Sequence, residues 1–285
     1  MVEIGKINRL TILRKLDYGT QLDGGESRTV LLAKKDSPIN CQPGDELEVF
    51  VYEDREKRLL ATTQRPYATV GQFARLQMVA SSSSGAYLDW GMQKDLLVPK
   101  SEQHAGMETG RSYIVFIFLD NKTNRITAST KLDNFFSSKP PNYKEGEEVK
   151  LIISAKTDLG YKAIINHSHQ GIVYKNEIFQ ALHIGQQLKG YVKKIRDDLK
   201  IDLSLQQSGY QRVDDVSRGI LKTVKNLGGR IAVTDKSRPE EIYSLFGISK
   251  KTFKRAIGAL YKRRLITLEK DGIKLNAGIR TKSGL

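Results

Sequence analysis

The stretches KLDYGTQL (15–22), SSSSGAYL (81–88) and KTDLGYKA (156–163) share one layout, a polar turn ending in a glycine, and the same residue types recur at fixed distances after each glycine. Twelve residues beyond Gly19, Gly85 and Gly160 stand Leu31, Leu97 and Ile172, followed by Leu32, Val98 and Val173, and then by Lys34, Lys100 and Lys175. A second glycine, Gly44, Gly110 or Gly185, opens a strand-like run: DELEVFVY, RSYIVFIF, QQLKGYVK. Each unit closes with an apolar residue three before a hydroxyl, Leu59 with Thr62, Ile126 with Ser129 and Ile201 with Ser204. One supersecondary unit of roughly seventy residues is written three times.

Within unit one, KINRLTILRKL, TQLDG, RTVLLAKK, DELEVFVYED and KRLLATTQ read as five short strands, with Asp23, Gly24 and Gly25 as the turn between the second and third. Thr11, Leu13 and Leu16 supply the apolar or β-branched positions expected of a half-buried first strand. Units two and three repeat the order, and five strands with one longer connection fit a small Greek-key barrel of the oligonucleotide-binding type. Between them FFSSKPPNYKEGE, with Pro140 beside Pro141, reads as a semi-rigid linker.

After Gln207 the apolar period changes from two to 3.6. In DDVSRGILKTVKNLGG the stripe Val216, Ile220, Leu221, Val224 and Leu227 predicts a helix, capped by Asp214 or Asp215 and ended by Gly228. Pro239, Glu240 and Glu241 suit the first turn of a second helix that stops at Gly247. Ser249 caps a third, KKTFKRAIGALYKRRL, with Phe253, Ile257, Leu260 and Tyr261 inward and Lys251, Lys254, Arg255 and Lys262 outward. ITLEKDGIKLN closes as a hairpin. The expectation is a mainly β, multidomain chain: five-stranded barrels over 1–65, 66–137 and 138–207, then an α/β winged helix-turn-helix over 208–285.

The formal net charge is +15, and residues 217–285 hold seventeen Lys and Arg against five Asp and Glu, an excess of +12. Charge concentrated on one small domain points to a polyanionic partner, nucleic acid being the usual one, because each neutralised phosphate releases counterions. No apolar run reaches the length of a bilayer span, and MVEIGKINRL lacks the apolar core of a signal peptide. The lone Cys41 reads as a packed residue in a reducing compartment. A soluble, cytoplasmic protein, monomeric and without membrane contact, is expected.

At the residues already quoted, the three units resemble the S1 RNA-binding domain, in which a glycine precedes the second strand, an aromatic often follows two residues later, and a glycine-leucine-valine-histidine stretch marks the third strand. GIVYKN (171–176) is similar, with Tyr174 in place of the histidine; DLLVPKS carries Pro99 there. The aromatic two after the glycine is present in unit two as Tyr87, whereas Gln21 and Lys162 replace it elsewhere. Three such units and a winged helix, across essentially the whole chain, resemble the conserved virulence factor B family of Gram-positive bacteria. That resemblance implies a non-catalytic RNA-binding regulator of virulence gene expression, with the third barrel and the winged helix as its main RNA contacts.

The candidate binding residues are therefore Tyr87, Lys162, Tyr174 and Lys175, the basic group Lys193, Lys194 and Arg196, and Lys250, Lys251, Lys254, Arg255 and Lys262 of the third helix. Stacking of a base on an aromatic contributes about 1–3 kcal/mol, and unit one, with no aromatic at that position, reads as a structural spacer. Catalysis and cofactors are not implied: His167 and His169 lack partners at metal-ligand spacing, Asp197 and Asp198 suit a hairpin tip, and no phosphate-cradling glycine loop follows a strand. Single-stranded RNA is the leading partner. A DNA-binding transcriptional regulator is the competing reading, because a basic third helix is a major-groove reader by analogy. Its outer face, however, offers Arg255 and no Asn or Gln as bidentate base readers. A protein adaptor docking on ribosome or polymerase is the third.

Overall fold

The computed structural model describes residues 2–54, 56–178, 181–206 and 210–276. Strands β1 (Ile7–Leu16), β2 (Gly19–Asp23), β3 (Thr29–Ala33), β4 (Glu46–Glu53) and β5 (Leu59–Thr62) close into a barrel of order β1-β2-β3-β5-β4. The third unit does the same with β11 (Glu148–Thr157), β12 (Gly160–Ile165), β13 (His169–Tyr174), β14 (Gln187–Ile195) and β15 (Ile201–Ser204). In both, the barrel shuts through a parallel pair, Leu31 against Leu60 and Ile172 against Asp202. The middle unit, β6 (Phe73–Ser81), β7 (Gly85–Asp89), β8 (Leu96–Pro99), β9 (Ser112–Leu119) and β10 (Ile126–Ser129), keeps the order but leaves β8 and β10 unladdered. There the Gln103 side chain donates to the Val98 carbonyl at 3.0 Å.

The repeated glycines have a steric cause. Gly85 and Gly160 lie at φ +149° and +151°, and a Cβ on either would sit 2.1 Å from the carbonyl oxygen of Val98 or Val173 on the next strand. At Gly19 the corresponding approach, to the Leu32 carbonyl, is 2.3 Å. Only glycine lets the second strand start this close to the end of the third.

Each core is formed by alternating inward residues, Leu22, Val30, Leu32, Val49, Val51 and Cys41 in barrel one. In β1 the buried residues are Leu10 and Ile12, while Leu13 is exposed and Thr11 and Leu16 are half-buried. Leu10 and Ile12 take the inward positions, so Thr11 and Leu13, each one residue off, fall on the other face, and a register shift follows between Ile12 and Arg14.

Where the units meet, strands are buried on both faces. Phe50 stands between Val49 and Val51, faces away from its own core, and meets Trp90 of the middle barrel edge-on at 5.6 Å. Backbone bonds reinforce this junction, Gly5 N–H to the Val51 carbonyl at 2.7 Å and Val70 N–H to the Gly5 carbonyl at 2.9 Å. On the other side of the middle barrel, Ile152 and Ile164 of barrel three pack with Phe73 and Ile114, and with Phe116, Phe135 and Phe136. Phe73 stacks on Phe136 at 5.2 Å and Phe116 on Phe135 at 4.5 Å. The segment read as a linker thus begins as an aromatic wedge between two barrels.

Beyond the barrels lie α1 (Tyr210–Asn226), β16 (Arg230–Ile231), α2 (Pro239–Phe246), α3 (Lys250–Lys262), β17 (Ile266–Glu269) and β18 (Gly272–Leu275), with sheet order β16-β18-β17. Ile220, Val224, Ile242, Phe253, Ala256, Ile257, Leu260 and Ile273 make the core. Ser249 caps α3 by accepting from Thr252 N–H, and Gly247 ends α2 in the left-handed region at φ +65°. Three details differ from expectation. Helix α1 starts at Tyr210, so Asp214 and Asp215 lie inside it and not at its cap. Leu227 falls past the helix end and is exposed. Tyr261 is 55% exposed, because the buried arc of α3 is centred on Phe253, Ala256, Ile257 and Leu260 and at 100° per residue Tyr261 lies about 90° from that centre.

Candidate nucleic-acid interface

Strand pairing carries one outward row across every barrel. In barrel one it runs Gln21, Leu31, Leu60, Tyr52, and in barrel three Lys162, Ile172, Asp202, Lys194. Barrel two places Tyr87 beside Leu97 in the same register, with the Tyr87 ring half-buried. At the edge of each row the repeated lysine opens a 3₁₀ turn and is exposed. Its backbone N–H donates to the residue preceding the repeated glycine: Lys34 to Tyr18 at 3.1 Å, Lys100 to Ser84 at 3.3 Å, Lys175 to Leu159 at 3.0 Å. Lys34 and Lys100 therefore occupy the position for which Lys175 was singled out, an equivalence the repeat spacing already contained.

The basic group of barrel three divides. Lys193 pairs with Glu177 at 2.6 Å, and Arg196 lies between Asp198 at 3.3 Å and Asp202 at 3.8 Å. Lys200, through a side-chain bond, is the main cause holding the Asp198 carboxyl below its ordinary range, with Arg196 adding to it. Tyr174 donates its hydroxyl to Asp202 at 3.3 Å. Lys162, Lys175 and Lys194 are exposed and form no ion pair among the described residues, so they carry the charge this face shows to solvent.

Barrel one, expected to be a spacer, holds an open cleft of about 610 Å³ on the equivalent face. Leu16, Leu31, Leu59 and Leu60 give its lining an apolar part, and Arg28, Lys57 and Glu53 a charged one. Tyr18, 66% exposed and immediately before Gly19, supplies the aromatic that Gln21 does not. The clue in the sequence was an aromatic displaced by three residues, on the turn instead of on the strand.

On α3 the outward stripe is Lys251, Arg255 and Lys262, all exposed, with the half-buried Gly258 between them, and its three charges form no ion pair among the described residues. Lys254 flanks it and lies 3.7 Å from Asp235. Lys250 is half-buried and turns back to the Lys236 carbonyl at 3.3 Å, which takes it out of the outward face. The wing is clamped by Arg230, which reaches Glu269 and Asp271, both at 2.9 Å.

The histidine pair serves the barrel junction. Phe73 N–H donates to His167 Nδ1 at 3.0 Å, while His169 Nδ1 meets the Tyr143 hydroxyl at 3.0 Å and its Nε2 lies 3.1 Å from the Lys139 carbonyl. Burial, with the nearby Lys150 charge, pushes the His167 pKa down and favours the neutral ring that can accept. Among the described residues no group of three or more His, Cys, Asp or Glu could hold a metal ion. No helix among them is long and apolar enough to cross a membrane.

Barrels with one repeated outward row, followed by a winged helix with a basic third helix, are an assembly of nucleic-acid-binding domain types. The S1 domain family is matched over residues 4–64 and 70–131, and the family described as CvfB-like winged helix domain over 218–275. A relative from Staphylococcus saprophyticus named "Conserved virulence factor B" is 24% identical over 283 residues, which is 95% of this chain and 94% of the relative. One of that name from Staphylococcus aureus strain N315 is 23% identical over 281 residues, again 95% and 94%. A solved Streptococcus pneumoniae structure described as a multidomain protein with nucleic acid binding domains covers 96% of this chain and 98% of its own, at 23% identity and a TM-score of 0.39. The chain thus carries the S1 and CvfB-like winged helix domain families in this order, and it is similar from end to end to relatives named "Conserved virulence factor B".

Proposed function

We propose that this protein is a non-catalytic RNA-binding regulator, working in the cytoplasm on virulence-linked gene expression and holding single-stranded RNA along its barrel faces and its winged helix. The observation that carries the reading is the repeated face: an apolar residue on the third strand (Leu31, Leu97 or Ile172), an aromatic or cationic residue close to the repeated glycine (Tyr18, Tyr87 or Lys162), and an exposed lysine fixed at one place in all three barrels. A shallow apolar floor with lysines at its edge suits unpaired bases lying flat while the backbone runs past the charges. The open stripe Lys251, Arg255 and Lys262 adds phosphate contacts, and lysine on phosphate positions more than it specifies. The name shared by the relatives supports the link to virulence.

The test is binding of the full chain, and of a fragment ending near Gln207, to single-stranded RNA, single-stranded DNA and duplex DNA at two salt concentrations. Preference for single-stranded RNA, steep salt dependence, and a large loss in the fragment are expected. Preference for duplex DNA would make the protein a transcription factor, and a salt-insensitive contact with ribosome or polymerase would make it an adaptor.

A further inference from the structure

Gly258 sits inside α3, where glycine is less favourable than alanine, yet nothing explains it by packing: a Cβ there would meet no atom within 4 Å. Its φ is not in the left-handed region, so the backbone does not require glycine either. The glycine, itself half-buried, leaves a notch between the exposed Arg255 and Lys262, bordered one turn back by Lys254 and Arg255 and one turn on by Tyr261 and Lys262. Helical side chains lean toward the N-terminus, so the Tyr261 ring and the Lys262 stem lean toward the Gly258 turn while staying more than 4 Å from where a Cβ would stand. An aromatic 55% exposed beside a bare patch of backbone, surrounded by cations, has the chemistry of a base-stacking site with phosphate contacts on either side.

We infer that the Gly258 notch takes one unpaired nucleobase of a single-stranded RNA, stacked on the Tyr261 ring, with Lys254, Arg255 and Lys262 on the flanking phosphates. The inference rests on the RNA-binding reading above and makes a narrower claim: α3 holds an exposed base and does not enter a duplex groove. Charge complementarity selects a polyanion, and the aromatic beside open space selects an unstacked base over a duplex backbone.

The experiment uses the full chain with a short single-stranded RNA carrying 2-aminopurine, whose fluorescence is quenched on stacking. Gly258→Ala fills the notch while improving helix propensity, so it should raise Tm and yet weaken binding about ten-fold. Tyr261→Phe should bind as the native chain does, and Tyr261→Ala should lose the affinity and the quenching together. Native affinity and quenching in both Gly258→Ala and Tyr261→Ala would overturn the inference and leave RNA binding intact. Equal weakening of duplex and single-stranded binding by Gly258→Ala would also overturn it, since the notch would then be serving backbone approach. Failure of the native chain to bind single-stranded RNA would overturn both claims.

Discussion

Replacing Gly160 by alanine tests the steric account of the repeat. The new Cβ would lie 2.1 Å from the Val173 carbonyl oxygen and 2.9 Å from the Tyr174 Cα, both backbone atoms that cannot rotate away. The first turn of β12 must then part from the end of β13, where Gly160 faces Tyr174. Holding a side chain at φ +151° costs about 1–3 kcal/mol, and a lost backbone bond about 1 kcal/mol. Reduced freedom of the unfolded chain returns about 0.4–1 kcal/mol, so the net destabilisation is about 1–3.5 kcal/mol. Since several domains unfold in one molecule, a single denaturation midpoint is a poor measure, and amide hydrogen exchange in β12 and β13 is the better assay. Exchange there should speed up by roughly 5- to 400-fold, with β1–β5 unaffected. Gly219→Ala, in α1 with nothing within 4 Å, is the control and should stabilise by about 0.5–1 kcal/mol. Unchanged exchange in Gly160→Ala would refute the reasoning, because it would mean the repeated glycine marks ancestry and not a constraint.

Three further outcomes are expected. Because the folded-state pKa of His167 is depressed, its share of the barrel two–three junction is complete above the unfolded value near 6.5 and is lost as pH falls through the folded value. Thermal scans across that range should show the loss, and His167→Gln should flatten it. Phe116→Ala removes the ring stacked on Phe135 and packed against Phe73, costing about 2–4 kcal/mol; calorimetry should then resolve separate transitions for barrels two and three. Replacing Lys251, Arg255 and Lys262 together by alanine should reduce the slope of log affinity against log salt by about 2, with no fall in Tm, since none of the three is paired within the described residues.

The order of elements and the three-fold repeat were legible because they rest on glycines and alternation, which short-range sterics enforce. The winged helix was legible from its caps, Ser249 and Gly247, and its 3.6-residue stripe. What escaped was the packing between units. Phe50, Ile152 and Ile164 each sit in an unbroken apolar run, VFV, LII or AII, which signals a strand buried on both faces, but nothing local says which neighbour covers the second face. Among the candidate binding residues, Lys162, Lys194, Lys251, Arg255 and Lys262 stand in the open. Lys193, Arg196 and Lys250 are tied to groups brought close by the tertiary fold, Glu177, Asp202 and the Lys236 carbonyl. Tyr18 and Tyr261 were missed for one reason: an aromatic on a turn or at the margin of a buried stripe carries no periodic signature of exposure.

The aromatic wedge between barrels two and three bears on how such a chain can evolve. Copies of a module that touch only through a tether can be shuffled, lost or added one at a time. Here Phe73, Phe116, Phe135 and Phe136 must find Ile152 and Ile164 opposite them, so a change in one copy is felt by its neighbour. The second and third copies are thereby bound to drift as a pair, and a gene fragment encoding either alone would release a protein with an oily flank.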